Sequence, residues 1–172
     1  MSKRLRLKEL ISFISCKSGF KDMSLDKKFL KEWNEAVKKI QKAGDKTVRA
    51  AALQLFSVII KRTPVGNPGL WKGDATAGYT GGSLRGNWQT TIGSPANTRL
   101  NSKDKLGSAT LGKANRAVAG YDSGNSIFFT NNLPYAHSVE YGWSSQAPVG
   151  MVRVSVSSFT QYIDKAAREN RI

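Results

Sequence analysis

A chain of 172 residues fits one domain with room for an attached arm, and 40% hydrophobic content is enough to bury a core. Its one cysteine, Cys16, excludes an internal disulfide, and no apolar run approaches the roughly 18–20 residues of a membrane span. The formal net charge of +15 is uneven: residues 1–62 hold 16 Lys or Arg against 6 Asp or Glu, and residues 94–121 hold five basic groups against Asp104 alone. Such a field attracts nucleic acid or an acidic protein surface and says little about fold.

Lys3, Arg4, Arg6 and Lys8 precede the apolar run Leu10 to Ile14, an order like that of an export signal ahead of a lipid-modified Cys16. Glu9 adjoins that run, which is shorter than an export core. Residues 1–23 therefore read as a basic arm or short amphipathic helix on an unexported chain, and residues 24–172 as a single domain. Ser24 is a candidate N-cap, with Asp26 in the first turn, for a helix over 24–62. Phe29, Trp33, Val37, Ile40, Val48, Ala51, Leu55 and Ile59 form its apolar stripe, and Lys27, Lys28, Lys31, Lys38, Lys39 and Lys42 its other face. Gly44 falls in a gap of that stripe and predicts a kink or two abutting helices. Thr63-Pro64 ends the helix, because the residue before proline is pushed out of the α region.

Residues 64–83 form a loop rich in glycine and proline, with Trp71 and Tyr79 embedded as candidate interaction residues. Leu84 to Ile92 predicts a strand with Trp88, Thr90 and Ile92 on one face. The stretch 94–116 has few large apolar residues and reads as a mobile basic excursion outside the core. Arg99, Lys103, Lys105, Lys113 and Arg116 are its candidate electrostatic contacts. Val118 to Tyr121 and Ser126 to Thr130 predict strands joined by a turn over Asp122 to Asn125. Pro134 precedes a β segment from Tyr135 to Tyr141, and length favours helix over strand for Val149 to Arg171. The expected fold is α+β: a long N-terminal helix packed on a small antiparallel sheet, closed by a C-terminal helix.

Chemistry is hard to find. His137 is the only histidine and has no HxH or HxxxH partner, so a nitrogen/sulfur zinc site cannot be assembled in one chain. A Cys16–His137 nucleophile pair reads as coincidence. No DxD or ExxE cluster would hold magnesium. The glycine-rich run Gly78 to Ser83 lacks both phosphate-binding fingerprints and reads as turn geometry. Catalytic, metal and cofactor sites are all expected to be absent. Two aromatic constellations remain: Tyr79 to Trp88, and Asn131 to Gly142 followed by Gln146 to Val152. Arg85 and Glu140 are natural candidates to pair across them, and Trp88, Tyr135 and Tyr141 are fold or interface candidates.

The order R-T-P-V, G-G-S-L-R-G-N-W, N-N-L-P-Y-A-H-S-V-E-Y-G, Q-A-P-V-G-M-V resembles the head–tail joining and tail completion family of long-tailed bacteriophages. In that family a long helix leads through a threonine–proline turn into a G-x-L-R-x-x-W strand. An N-x-x-P-Y-A-x-x-x-E-Y-G hairpin follows, then an A-P-x-G-M-x-R start to the last helix. The match covers roughly residues 24–160, and four motifs in order are more specific than any one. The resemblance places Thr63, Pro64, Leu84, Arg85, Trp88, Pro134, Tyr135, Glu140, Tyr141, Gly142, Pro148, Gly150, Met151 and Arg153 at family positions. There they would hold the fold and the ring contacts without a catalytic role. The chain departs from the pattern in residues 1–23, 65–82 and 94–116.

What the resemblance implies is a structural virion component of the neck, a tail completion or tail terminator protein, assembled in the host cytoplasm. It would form a homo-oligomeric ring and meet the tail tube on one side and head-completion or portal-side proteins on the other. Packaged DNA is a further contact, without sequence preference, and no membrane is involved. The rival is a basic nucleic-acid-binding module, which explains the charge but lacks a reading helix or an RNA-recognition aromatic signature. A third reading, a small nuclease or toxin using His137, lacks partner residues.

Overall fold

The computed structural model describes residues 27–70 and 77–170. The arm 1–23, Ser24, Asp26 and Trp71 lie outside the described residues. The chain divides into two compact units, residues 1–38 and 39–172. The architecture is α+β, as the periodicities predict, with a long helix, a two-stranded antiparallel sheet and a C-terminal helix. No described helix is long and apolar enough to cross a membrane.

Helix α1, Lys27–Arg62, runs unbroken through Gly44, where the gap in the stripe predicts a break. A Cβ added at Gly44 would meet nothing within 4 Å, so the glycine faces open space and costs only about 1 kcal/mol against alanine. In the first unit Phe29 and Trp33 stack with centroids 6.4 Å apart and stay exposed. In the second unit α1 buries Ala51, Ala52, Phe56, Ile59 and Ile60, while Ile40 and Val48 remain exposed. The stripe is therefore a core face only from Ala51 onward.

Strand β1, Trp88–Ile92, pairs antiparallel with β2, Ile127–Asn131, in the register Trp88↔Asn131, Thr90↔Phe129, Ile92↔Ile127. The period of two puts Phe129 beside Trp88 on the face that meets α1. Phe56 and Phe129 stack at 4.1 Å with 7° between planes, and Trp88 and Phe129 at 4.6 Å with 2°. This three-ring stack fixes α1 to the sheet, each pair adding about 1 kcal/mol beyond its burial. Phe129 also joins the two core clusters, one around Ile59, Ile60, Leu84 and Met151, the other around Ala52, Ala114 and Val118.

Five local expectations need correction. Leu84 does not begin the strand: Ser83–Gly86 is a helical turn, α2, and β1 starts at Trp88. The loop 102–104 passes so close that a Cβ at Gly86 would lie 2.8 Å from Ser102 O. The supposed basic excursion ends in helix α3, Ser108–Ala119, which also replaces the strand expected at Val118. It buries Thr110, Ala114 and Val118, four residues apart, so small side chains form a core face that a search for large ones overlooks. Tyr135 to Tyr141 is a helical turn, α4 (Ala136–Glu140), because the backbone after Pro134 closes bonds from Ala136 N to Leu133 O and Val139 N to Tyr135 O. The last helix starts later than predicted and is interrupted, as α5 (Arg153–Val156) and α6 (Phe159–Glu169). Between them Ser157 Oγ bonds Val154 O at 2.9 Å, a local alternative to the helical ladder. The turn over Asp122 to Asn125 forms as expected, with Gly124 N and Asn125 Nδ2 bonded to Asp122 Oδ1.

Thr63 closes α1 and ties it to the sheet. Its hydroxyl donates to Ile59 O at 2.7 Å and accepts from Trp88 Nε1 at 2.8 Å, in a position with no solvent exposure. Thr63→Val, which strands the indole N–H, is expected to cost about 1–3 kcal/mol in denaturant melts. Trp88→Phe keeps the ring stack and removes the donor, so it should cost less than the complete loss of that ring.

Candidate functional site

Arg85, carried on α2, points back to the C-terminal end of α1. Its Nε and Nη2 donate to Thr63 O at 3.1 and 2.6 Å, Nη2 to Lys61 O at 3.2 Å, and Nη1 to Lys105 O at 2.5 Å. A planar guanidinium there serves the carbonyls that a helix end leaves without intrahelical donors. Asp104, buried, supports the same corner: Oδ1 accepts from Gly107 N at 2.7 Å, and Oδ2 accepts from Thr110 N and Thr110 Oγ1, both at 2.8 Å. Burial pushes its pKa up, but the donors from Thr110, Gly107 and Leu106 win and hold it below the usual carboxylate range. Asp104 thus caps α3 from outside the helix and helps keep the Arg85 charge. Asp104 is not marked by the sequence, because it lies four residues before Ser108, outside the N-cap position where such a signal is read.

Glu140 does not pair with Arg85, contrary to the expectation from opposite charge. Its carboxylate accepts from Met151 N at 2.8 Å and from Val152 N and Arg153 N at 2.9 Å, and meets Arg153 Nε at 3.4 Å. Burial opposes its ionisation, yet these bonds, Arg153 N foremost, lower its pKa below the usual range. Gly150, at φ +86°, makes the approach: a Cβ there would press into Glu140 O and lie 2.7 Å from Oε1. Arg153 continues over the Tyr141 ring at 4.6 Å, and His137 lies against the same ring at 4.5 Å. The glutamate and the glycine-methionine motif are one clamp.

Tyr79, Tyr135 and Trp143 line a cleft of about 410 Å³ with Pro64, Leu84 and Val139. Tyr135 is partly exposed and its phenol pKa is raised, chiefly by burial and then by Tyr79, with Arg99 opposing. Trp143, which the sequence reading did not single out, is 84% exposed. Arg99, Lys103, Lys105, Lys113 and Arg116 all lie at the surface, Lys113 and Arg116 one turn apart on α3. Among the described residues no group of His, Cys, Asp and Glu could hold a metal ion.

Comparison of the chain with protein-family models, curated proteins and solved structures finds no match. The geometry must speak for itself. It brings Arg85 to α1 and Glu140 to the start of α5, buries Trp88 in the sheet, and leaves Tyr135, Tyr141 and Trp143 facing outward. The first three residues hold elements in place, and the last three remain exposed.

Proposed function

We propose that this chain is a structural subunit of a bacteriophage neck, a tail completion or tail terminator protein that closes into a ring and joins the tail tube to the head. The observation that carries the reading is where the motif residues go. Thr63, Arg85 and Trp88 meet at the end of α1, and Glu140, Gly150 and Arg153 meet at the start of α5. Both knots tie together segments distant in the sequence and neither presents a nucleophile, a base and an orienting partner to a substrate. Around them Leu106, Tyr141, Trp143 and Val149 stand exposed, a surface suited to contact with other subunits. The partners in this reading are further copies of the chain, the tail tube and portal-side neck proteins.

A non-enzymatic role makes a direct prediction for His137, whose ring lies against Tyr141 at 4.5 Å. His137→Ala is expected to complement a phage lacking this protein with an undiminished yield of infectious particles. A yield reduced by orders of magnitude, from a variant that melts normally, would overturn the assignment. Electron microscopy of the particles made without the protein tests the place of action: unjoined heads and tails are expected, and joined particles with a replication defect would favour the nucleic-acid-binding alternative.

A further inference from the structure

The sheet ends on β2, and the outer side of that strand is unpaired. Gly93 N donates to Ser126 O at 2.9 Å, one step beyond the last pair of the register, so these two residues form a hydrogen-bonded pair. Bonded and unbonded pairs alternate along an antiparallel ladder, which makes Thr91↔Phe128 and Gln89↔Thr130 the other bonded ones. The backbone N–H and C=O groups of Ile127, Phe129 and Asn131 therefore point away from β1. None of them is bonded to another group among the described residues. Helix α3 runs close beside β1, whereas no described element runs as close beside the outer side of β2. All five residues of β2 are partly exposed.

A free edge is a template for a further strand, and chains usually blunt it with a lysine, a proline or a bulge. Strand β2, Ile-Phe-Phe-Thr-Asn, carries none of these, and its register runs without interruption. The edge itself fixes the chemistry of its missing partner. Alternating N–H and C=O groups along five residues are satisfied together by one extended backbone, and by no point charge or apolar side chain. The neighbours of that backbone would be Ile127 and Phe129 on one face and Phe128 and Thr130 on the other, so it must be uncharged over about five residues. Four runs of seven or more residues in this chain lack charge, glycine and proline: 10–16, 50–60, 125–133 and 154–163. The last three already lie in α1, around β2 and across α5 and α6. The first, L-I-S-F-I-S-C, is outside the described residues and rich in strand-favouring types. Lys8 and Glu9 before it and Lys17 after it would confine pairing to that stretch.

We propose that residues 10–16 of one copy add as a strand to the free edge of β2 in a second copy, with Ile11 and Phe13 extending the apolar face of Ile127 and Phe129. The inference rests on the ring reading and names its contact. Donor and acceptor are different parts of the chain, so each copy gives an arm to one neighbour and receives one from another. Such a head-to-tail contact generates a ring when its rotation closes. The main-chain bonds supply the affinity, and the alternating side chains supply the register.

The test uses the full chain in reducing buffer, with mass read by sedimentation velocity and amide exchange read across residues 127–131. The wild type is expected to associate as concentration rises, and exchange across 127–131 to slow as it does so. Phe13→Asp places a charge in the middle of the donor run and outside the described core. It is expected to associate about tenfold more weakly or not at all, with those amides left fast. A synthetic peptide of residues 8–17, added in excess, is expected to return the wild type to single chains while keeping the same amides slow, because it fills the same edge. The peptide carrying Phe13→Asp should do neither. Undiminished association of Phe13→Asp would overturn this contact and leave the ring reading standing, and so would a wild type that associates while exchange across 127–131 stays fast. A wild type that stays a single chain at every concentration would overturn both.

Discussion

Glu140→Ala is expected to lower the unfolding free energy by about 3 kcal/mol or more, because it strands three backbone N–H groups at about 1 kcal/mol each and releases Arg153. The carboxylate side chain is only 13% exposed, so water cannot readily replace it. Gly150→Ala should do comparable damage from the other side, since its Cβ would drive the carboxylate out and its φ of +86° disfavours any side chain. The effect carries a pH signature. Glu140 and Asp104 both have folded pKa values below their ordinary ones. The stability they contribute is therefore complete above the unfolded carboxylate range, near pH 4, and is lost as pH falls through the lower folded values. Urea melts from neutral pH downward should show the wild type losing stability in acid and Glu140→Ala losing distinctly less. Equal acid slopes for the two proteins would show that the clamp is not formed in solution.

Arg85→Lys is expected to cost about 2–3 kcal/mol, although the charge is kept. One guanidinium spans Thr63 O, Lys61 O and Lys105 O, and an ammonium cannot reach all three from a single point. The loss should concentrate at the end of α1 and in the 102–107 loop, where amide exchange would quicken first. A double-mutant cycle separates this arrangement from the opposite-charge pair suggested by the sequence. Arg85 with Asp104 should couple, since Asp104 supports the arginine charge, whereas Arg85 with Glu140 should be additive within about 0.5 kcal/mol. A large coupling between Arg85 and Glu140 would contradict the two separate clamps.

The sequence by itself determined the elements that follow simple rules. Apolar spacing marks α1, Thr63-Pro64 marks its end, alternation through Trp88, Thr90 and Ile92 marks β1, and the Asp122 turn is written in its side chains. It also singled out Arg85, Trp88 and Glu140, each standing among turn-spaced aromatics on a predicted β segment, while Gly150 stood out only through the resemblance. What each of them touches was decided only in three dimensions. Arg85 and Glu140 have opposite charges, but backbone groups satisfy both, and a chain offers far more carbonyls and N–H groups than charged partners. Helix α3 was illegible for a related reason. Ala114 and Thr110 become a core face only because α1 and β1 stand against them, and its cap, Asp104, lies outside the helix it starts. The exposure of Leu106 belongs wholly to the tertiary structure, since it looks like any leucine in the sequence. It is exposed because Arg85 and Gly82 brace its loop from beneath.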